Sequence, residues 1–172
     1  MSRLTVGSIE GLTENSNVIS VPTGHTLNAV DGLQIGGTAV GKWVDYSGSQ
    51  TFNANLTVGN GTIQSYYAVV NDVVFWRGEF TLGSTSAVGG TIDVVAPITP
   101  IGGTGEQWPG VCRAGISSVF YPGFPLQVGV SFRMTRIQET GGTARTGDYA
   151  PTLPATWGPG DTFQWWITYQ AA

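Results

Sequence analysis

At 172 residues the chain suits one domain plus an appendage. A formal charge of −4, with Lys42 the single lysine and the six arginines scattered, provides no basic face for nucleic acid. Charged residues make up only 10% of the chain, against about 25% in an average globular protein, and no run of about 18 apolar residues could form a membrane-spanning helix.

Residues 1–40 consist of short apolar pieces, at 4–6, 18–21, 27–30 and 33–35, separated by turns at Pro22-Thr-Gly24 and Asp31-Gly32. No piece is large enough to make a core alone. The segment is therefore expected to be β-rich and to gain order by wrapping around identical copies or docking on a partner. Its start, Met-Ser-Arg-Leu-Thr-Val-Gly, lacks the apolar stretch of a signal peptide. Gly36-Gly-Thr-Ala-Val-Gly41-Lys42 imitates a phosphate-binding loop. That loop needs Ser or Thr after the lysine and a following helix, whereas Trp43 and a strand pattern follow here. It reads as a hinge between the appendage and a domain at 41–172.

A short strand is predicted at 43–46. Asn55-Leu-Thr57 and Asn60-Gly-Thr62 spell glycosylation sequons, but without a secretory signal they read as turn and strand residues. Residues 63–70 and 73–82 are β-branched and aromatic around an Asn71-Asp72 pair, the pattern of a hairpin. Strands follow at 91–95 and 111–119, the second carrying Cys112. A single cysteine cannot form an intrachain disulfide, and its alternating surroundings predict a buried thiol. The cleanest alternation spans 126–137, with Leu126, Val128, Val130, Phe132 and Met134 on one face.

The chain ends on Trp157-Gly-Pro-Gly-Asp161-Thr-Phe163-Gln-Trp165-Trp166-Ile167-Thr-Tyr169. A Pro/Gly turn feeds a strand whose odd positions form one apolar face, with Trp166 opposite. Trp157, which leads into it, belongs to the fold. Seven or eight such strands joined by Gly/Pro loops predict an all-β fold, a jelly-roll-type antiparallel β-sandwich with a short N-terminal attachment segment.

Chemistry is thinly represented. His25 is the only histidine, in a polar turn far from Cys112, so neither a nucleophilic triad nor a zinc site is expected. No catalytic residue, cofactor or metal is assigned. The eleven carboxylates are scattered, and a glycosidase needs only two, so a dyad assembled by folding stays open. Loop aromatics are the better lead. Trp108 lies in Gly-Glu-Gln-Trp-Pro-Gly, Tyr121 and Phe124 in Phe-Tyr-Pro-Gly-Phe-Pro, and Tyr149 beside Arg145 and Asp148 in Arg-Thr-Gly-Asp-Tyr-Ala-Pro. Flat rings next to short polar groups suit the faces and hydroxyls of sugars. The plainer reading is that these rings plug the open ends of the sandwich.

Trp43-Val-Asp-Tyr46, Leu56-Thr-Val-Gly-Asn-Gly-Thr62, Val69-Val-Asn-Asp-Val-Val-Phe-Trp-Arg77, Gly83-Ser-Thr-Ser and the closing Trp-x-x-Gly-Asp strand together resemble the C-terminal domains of tailed-bacteriophage minor tail and fibre proteins. The likeness spans roughly residues 42–172. The opening segment separately resembles the polar β-rich starts of phage fibre proteins. The resemblance implies a structural virion protein, assembled in the host cytoplasm and displayed on the particle as a short homotrimeric fibre or knob. Residues 1–40 would bind other virion proteins, and the knob would bind a host cell-surface glycan without catalysis, nucleic-acid contact or membrane insertion. Two alternatives are a capsid decoration or cement protein, such as a head fibre, and a polysaccharide depolymerase.

Overall fold

The computed structural model describes residues 42–140 and 143–172, together with a two-stranded hairpin at Gln34–Ile35 (β1) and Thr38–Ala39 (β2). Apart from that hairpin, the expected attachment segment and the Gly-rich hinge lie outside the described residues. Gln34–Ala172 belong to one compact unit.

The expected all-β class holds, and the described residues contain no α-helix. Beyond the first hairpin the strands are β3 (Val44–Asp45), β4 (Leu56–Thr57), β5 (Thr62–Val70), β6 (Val73–Thr81), β7 (Ala87–Val88), β8 (Asp93–Val95), β9 (Gly110–Ile116), β10 (Val119–Val128), β11 (Ser131–Thr140), β12 (Thr143–Asp148) and β13 (Thr162–Gln170). All pair antiparallel. The main sheet runs β12-β11-β10-β9-β13-β6-β5-β3, with β8 also on β11, while β4 and β7 pair separately. The C-terminal strand is thus inserted between two meanders and hydrogen-bonded on both sides.

Hairpin chemistry sets this order. Asn71 closes β5–β6 with φ 53°, Ser117 and Ser118 close β9–β10 with φ 50° and 67°, and Gly129 closes β10–β11 with φ 59°. Left-handed residues at these positions match the turn to the twist of the flanking strands. The β5–β6 hairpin falls where the sequence predicts it. The other two correct the reading of 111–119 and 126–137 as single strands: the chain reverses at 117–118 and again at 129–130. Gly129–Val130 is a two-residue loop with glycine at its first central position, the placement a type II′ turn prefers.

That turn also changes which side chains face inward. Gln127 pairs with Phe132 and Pro125 with Met134, so these point to the core, while Leu126 and Val128 are only half-buried and Val130 is exposed. Gln127 is fully buried yet satisfied, accepting from Trp108 Nε1 at 2.6 Å and donating to the Gly129 carbonyl at 3.1 Å.

The sheet curls over on itself to make a sandwich. Phe132 on β11 stands three positions from β13 in the sheet, yet its ring lies 5.2 Å from Tyr169 and 6.0 Å from Trp76. Inside the curl, Trp165 packs against Trp76 at 5.6 Å, Phe163 at 6.0 Å and Phe52 at 6.1 Å. A buried polar chain crosses this core: Trp76 Nε1 donates to Ser65 Oγ, which donates to Gln50 Oε1, each at 2.9 Å. Pairing of this kind removes the cost of burying polar groups in an apolar core.

The core also holds three protonated acids. Burial pushes the Cys112 thiol up to about 12, with its Sγ against the Thr135 carbonyl. Burial likewise raises Tyr149 and Tyr169, whose hydroxyls donate to the Tyr121 and Ile98 carbonyls. The unfolded chain binds fewer protons than the native one above the ordinary thiol value of 9.0. Stability contributed by these groups is therefore complete below that pH and lost as pH climbs toward the folded values. Denaturant unfolding between pH 9 and 12 should show stability falling by up to about 1.4 kcal/mol per pH unit for each group. A flat profile there would contradict the burial of these groups.

Candidate functional site

Of the candidate residues, Tyr121, Phe124, Asp148 and Tyr149 come together, because Phe124 and Asp148 both pair with Thr135 and the Tyr149 hydroxyl donates to the Tyr121 carbonyl, but they do not share one open aromatic face. Tyr149 is fully buried, with its ring 5.6 Å from Phe163 and its hydroxyl tied to Tyr121, so it offers no face to solvent. Trp108 is half-buried against the core and pinned to Gln127 through its indole N–H. Tyr121 is also half-buried and packed on the core. All three side chains plug gaps in the sandwich. Phe124 is exposed, Asp148 is half-exposed at the end of β12, and Arg145 lies on β12 with its side chain outside the described residues. Trp157 packs on the core with its N–H donated to the Ala150 carbonyl, as its reading as a fold residue predicts.

The aromatic surface lies instead on the outer face of the four central strands. Period-2 alternation places Trp165 in the core and Trp166 outside, and does the same for Trp76 against Phe75 and Arg77. Register then aligns the outward residues in rows across β5, β6, β13 and β9. One row reads Tyr66, Arg77, Trp166, Val111 and the next Gln64, Glu79, Gln164, Arg113. Phe75 extends a third row beside Thr168, and Phe120 flanks the array from β10. Trp43, Phe75, Phe120 and Trp166 are each between 41 and 60% exposed.

Cations stiffen this surface. The Arg77 guanidinium lies 4.9 Å from the Trp43 ring and 5.6 Å from the Tyr66 ring. The Arg113 guanidinium lies 4.5 Å from Phe120 and 5.8 Å from Trp166. Gln164 links the charged members of its row, accepting from Arg113 Nε and donating to Glu79 Oε2. Beside Tyr66, Asp45 is held below its ordinary value by the Ser47 hydroxyl and backbone N–H.

Two shallow depressions flank Trp166. The smaller, about 220 Å³, is bounded by Gln64, Tyr66, Arg77, Glu79 and Gln164. The larger, about 370 Å³, lies among Trp43, Phe75, Arg77, Pro109, Val111 and Thr168. Flat rings and a few oriented hydrogen-bonding groups on a rigid sheet suit a ligand with both apolar faces and hydroxyls. The signal was present in the sequence: an alternation that sends Trp165 inward sends Trp166 out.

Comparison with protein-family models, with curated proteins and with solved structures finds no match to this chain.

Proposed function

We propose that this chain is a virion surface protein of a tailed bacteriophage, a short trimeric knob of jelly-roll type that binds a host-surface glycan without cleaving it. Residues 1–40 attach the knob to other virion proteins. The motifs around Trp43, Asn60, Asn71 and Trp157 support the phage reading. The glycan reading rests on one observation: Trp166 stands exposed at the centre of ordered rows of aromatic, amide and guanidinium groups. Sugar rings present C–H faces to aromatic rings and hydroxyls to such amides and cations. In this reading recognition belongs to the sheet face rather than to Trp108, Tyr121 and Tyr149.

Trp166→Ala should lose most of its binding to host cells, because stacking contacts of this kind are worth on the order of 1 kcal/mol or more each. Its melting temperature should stay near that of the wild type, since the ring lies outside the core. The native knob should leave polysaccharide chain length unchanged and show a light-scattering mass near three times 18.1 kDa. Shortened chains would favour the depolymerase. Virions that lack the protein, adsorb normally and lose resistance to heat would favour the decoration protein.

A further inference from the structure

We propose that the sugar held on this face carries a carboxylate, and that Arg77 is the residue that selects it. The inference rests on the glycan reading and adds a chemical class to it. Arg77 is the only charged residue bounding the larger depression, whose other walls are aromatic, aliphatic, backbone or hydroxyl-bearing. Among the described residues the guanidinium has no carboxylate partner, the sole ion pair being Arg133 with Asp93 at 2.8 Å. No hydrogen bond from its side chain is formed within the described protein either. Glu79, two residues along on the same strand face, bounds the smaller depression together with Arg77 and accepts from Gln164.

The Arg77 guanidinium carbon meanwhile lies 4.9 Å from the Trp43 ring centroid and 5.6 Å from that of Tyr66. With none of its N–H groups used within the described protein, the guanidinium keeps them for a ligand, and a carboxylate matches two of them with two parallel hydrogen bonds. A neutral sugar would leave this charge unmatched. A uronic acid, or another sugar bearing a carboxylate, can place its ring against Trp166 and Phe75 and its carboxylate on Arg77.

The test uses uronate-containing bacterial surface polysaccharides, each probed in native form and after carbodiimide–borohydride reduction of its carboxylates to alcohols. The whole protein should bind native polymer more tightly than reduced polymer, by roughly tenfold to a hundredfold, the worth of a charge-assisted hydrogen bond. Arg77→Gln should erase that difference. Arg77→Lys, which keeps the charge without the planar fork, should retain part of it. Equal binding of native and reduced polymers by the wild type would overturn the carboxylate inference and leave glycan binding standing. Loss of the difference in Arg113→Gln but not in Arg77→Gln would move the selecting role to the other cation and overturn the assignment to Arg77. Binding to neither form across the panel would overturn the glycan reading itself.

Discussion

Trp165→Ala should cost about 3–5 kcal/mol of folding stability, the usual range for deleting a large buried aromatic. The indole is fully buried and touches three other rings, Phe52, Trp76 and Phe163. Its strand is hydrogen-bonded to β6 on one side and β9 on the other, so the two halves of the main sheet meet at this residue. Of its ring neighbours, Trp76 and Phe163 are held in ladders of the main sheet and Phe52 in a single bridge to Val94, so a cavity here is filled only in part. A domain stable by about 5–15 kcal/mol would lose a large share of that margin, and its melting temperature should fall by on the order of 10 °C.

Two controls make the prediction sharp. Trp166→Ala deletes the same side chain one residue later but on the solvent face, and should move the melting temperature little. Trp165→Phe should cost much less than Trp165→Ala, because the indole N–H is buried with no acceptor among the described residues. Phenylalanine keeps most of the packing and removes that unpaired donor. Denaturant midpoints for the three variants decide the matter. If Trp166→Ala proves the damaging one, the inward face of β13 has been assigned the wrong way round.

Much of the architecture was legible because it depends on period-2 alternation and turn residues. Phe163, Trp165, Ile167 and Tyr169 announce the inward face of the closing strand, and Asn71-Asp72 announces the β5–β6 hairpin. The two later hairpins were harder to see. Ser117-Ser118 carries no glycine or asparagine, although both serines adopt the left-handed region. Gly129–Val130 sits inside a run whose alternation continues across it, so the reversal leaves no gap in the pattern. Pairing across the sheet, which aligns Tyr66, Arg77 and Trp166 from three different strands, depends on strand order. Insertion of β13 between β6 and β9 cannot be read from any local window. The loop aromatics misled for a related reason. Neighbouring Pro and Gly suggested projection, whereas Tyr149 and Trp108 are held inward by hydrogen bonds to Tyr121 and Gln127, which are distant in sequence.

Gly78→Ala should be the second strongly destabilising change, through overpacking rather than a cavity. A glycine in the middle of a strand ordinarily weakens it, having no side chain to pack and more backbone freedom to lose. Here Gly78 lies directly opposite Trp165 in the register, and the indole lies over its backbone. A Cβ at this position would overlap Cε2 and Cζ2 of Trp165 and come within 2.8 Å of the Gln64 carbonyl oxygen. Overpacking of this kind costs about 1–3 kcal/mol and occasionally more. Backbone preference alone would give the opposite sign, since replacing a strand glycine by alanine normally stabilises by about 0.4–1 kcal/mol where its conformation is compatible. The origin of the cost is testable by a double-mutant cycle with Trp165→Phe, whose smaller ring makes room for the new methyl group. The double variant should be more stable than the two single losses predict, with a coupling of about 0.5–3 kcal/mol. Strict additivity would mean that the alanine methyl is accommodated without touching the ring, and that Gly78 stands in β6 for some reason other than its contact with Trp165.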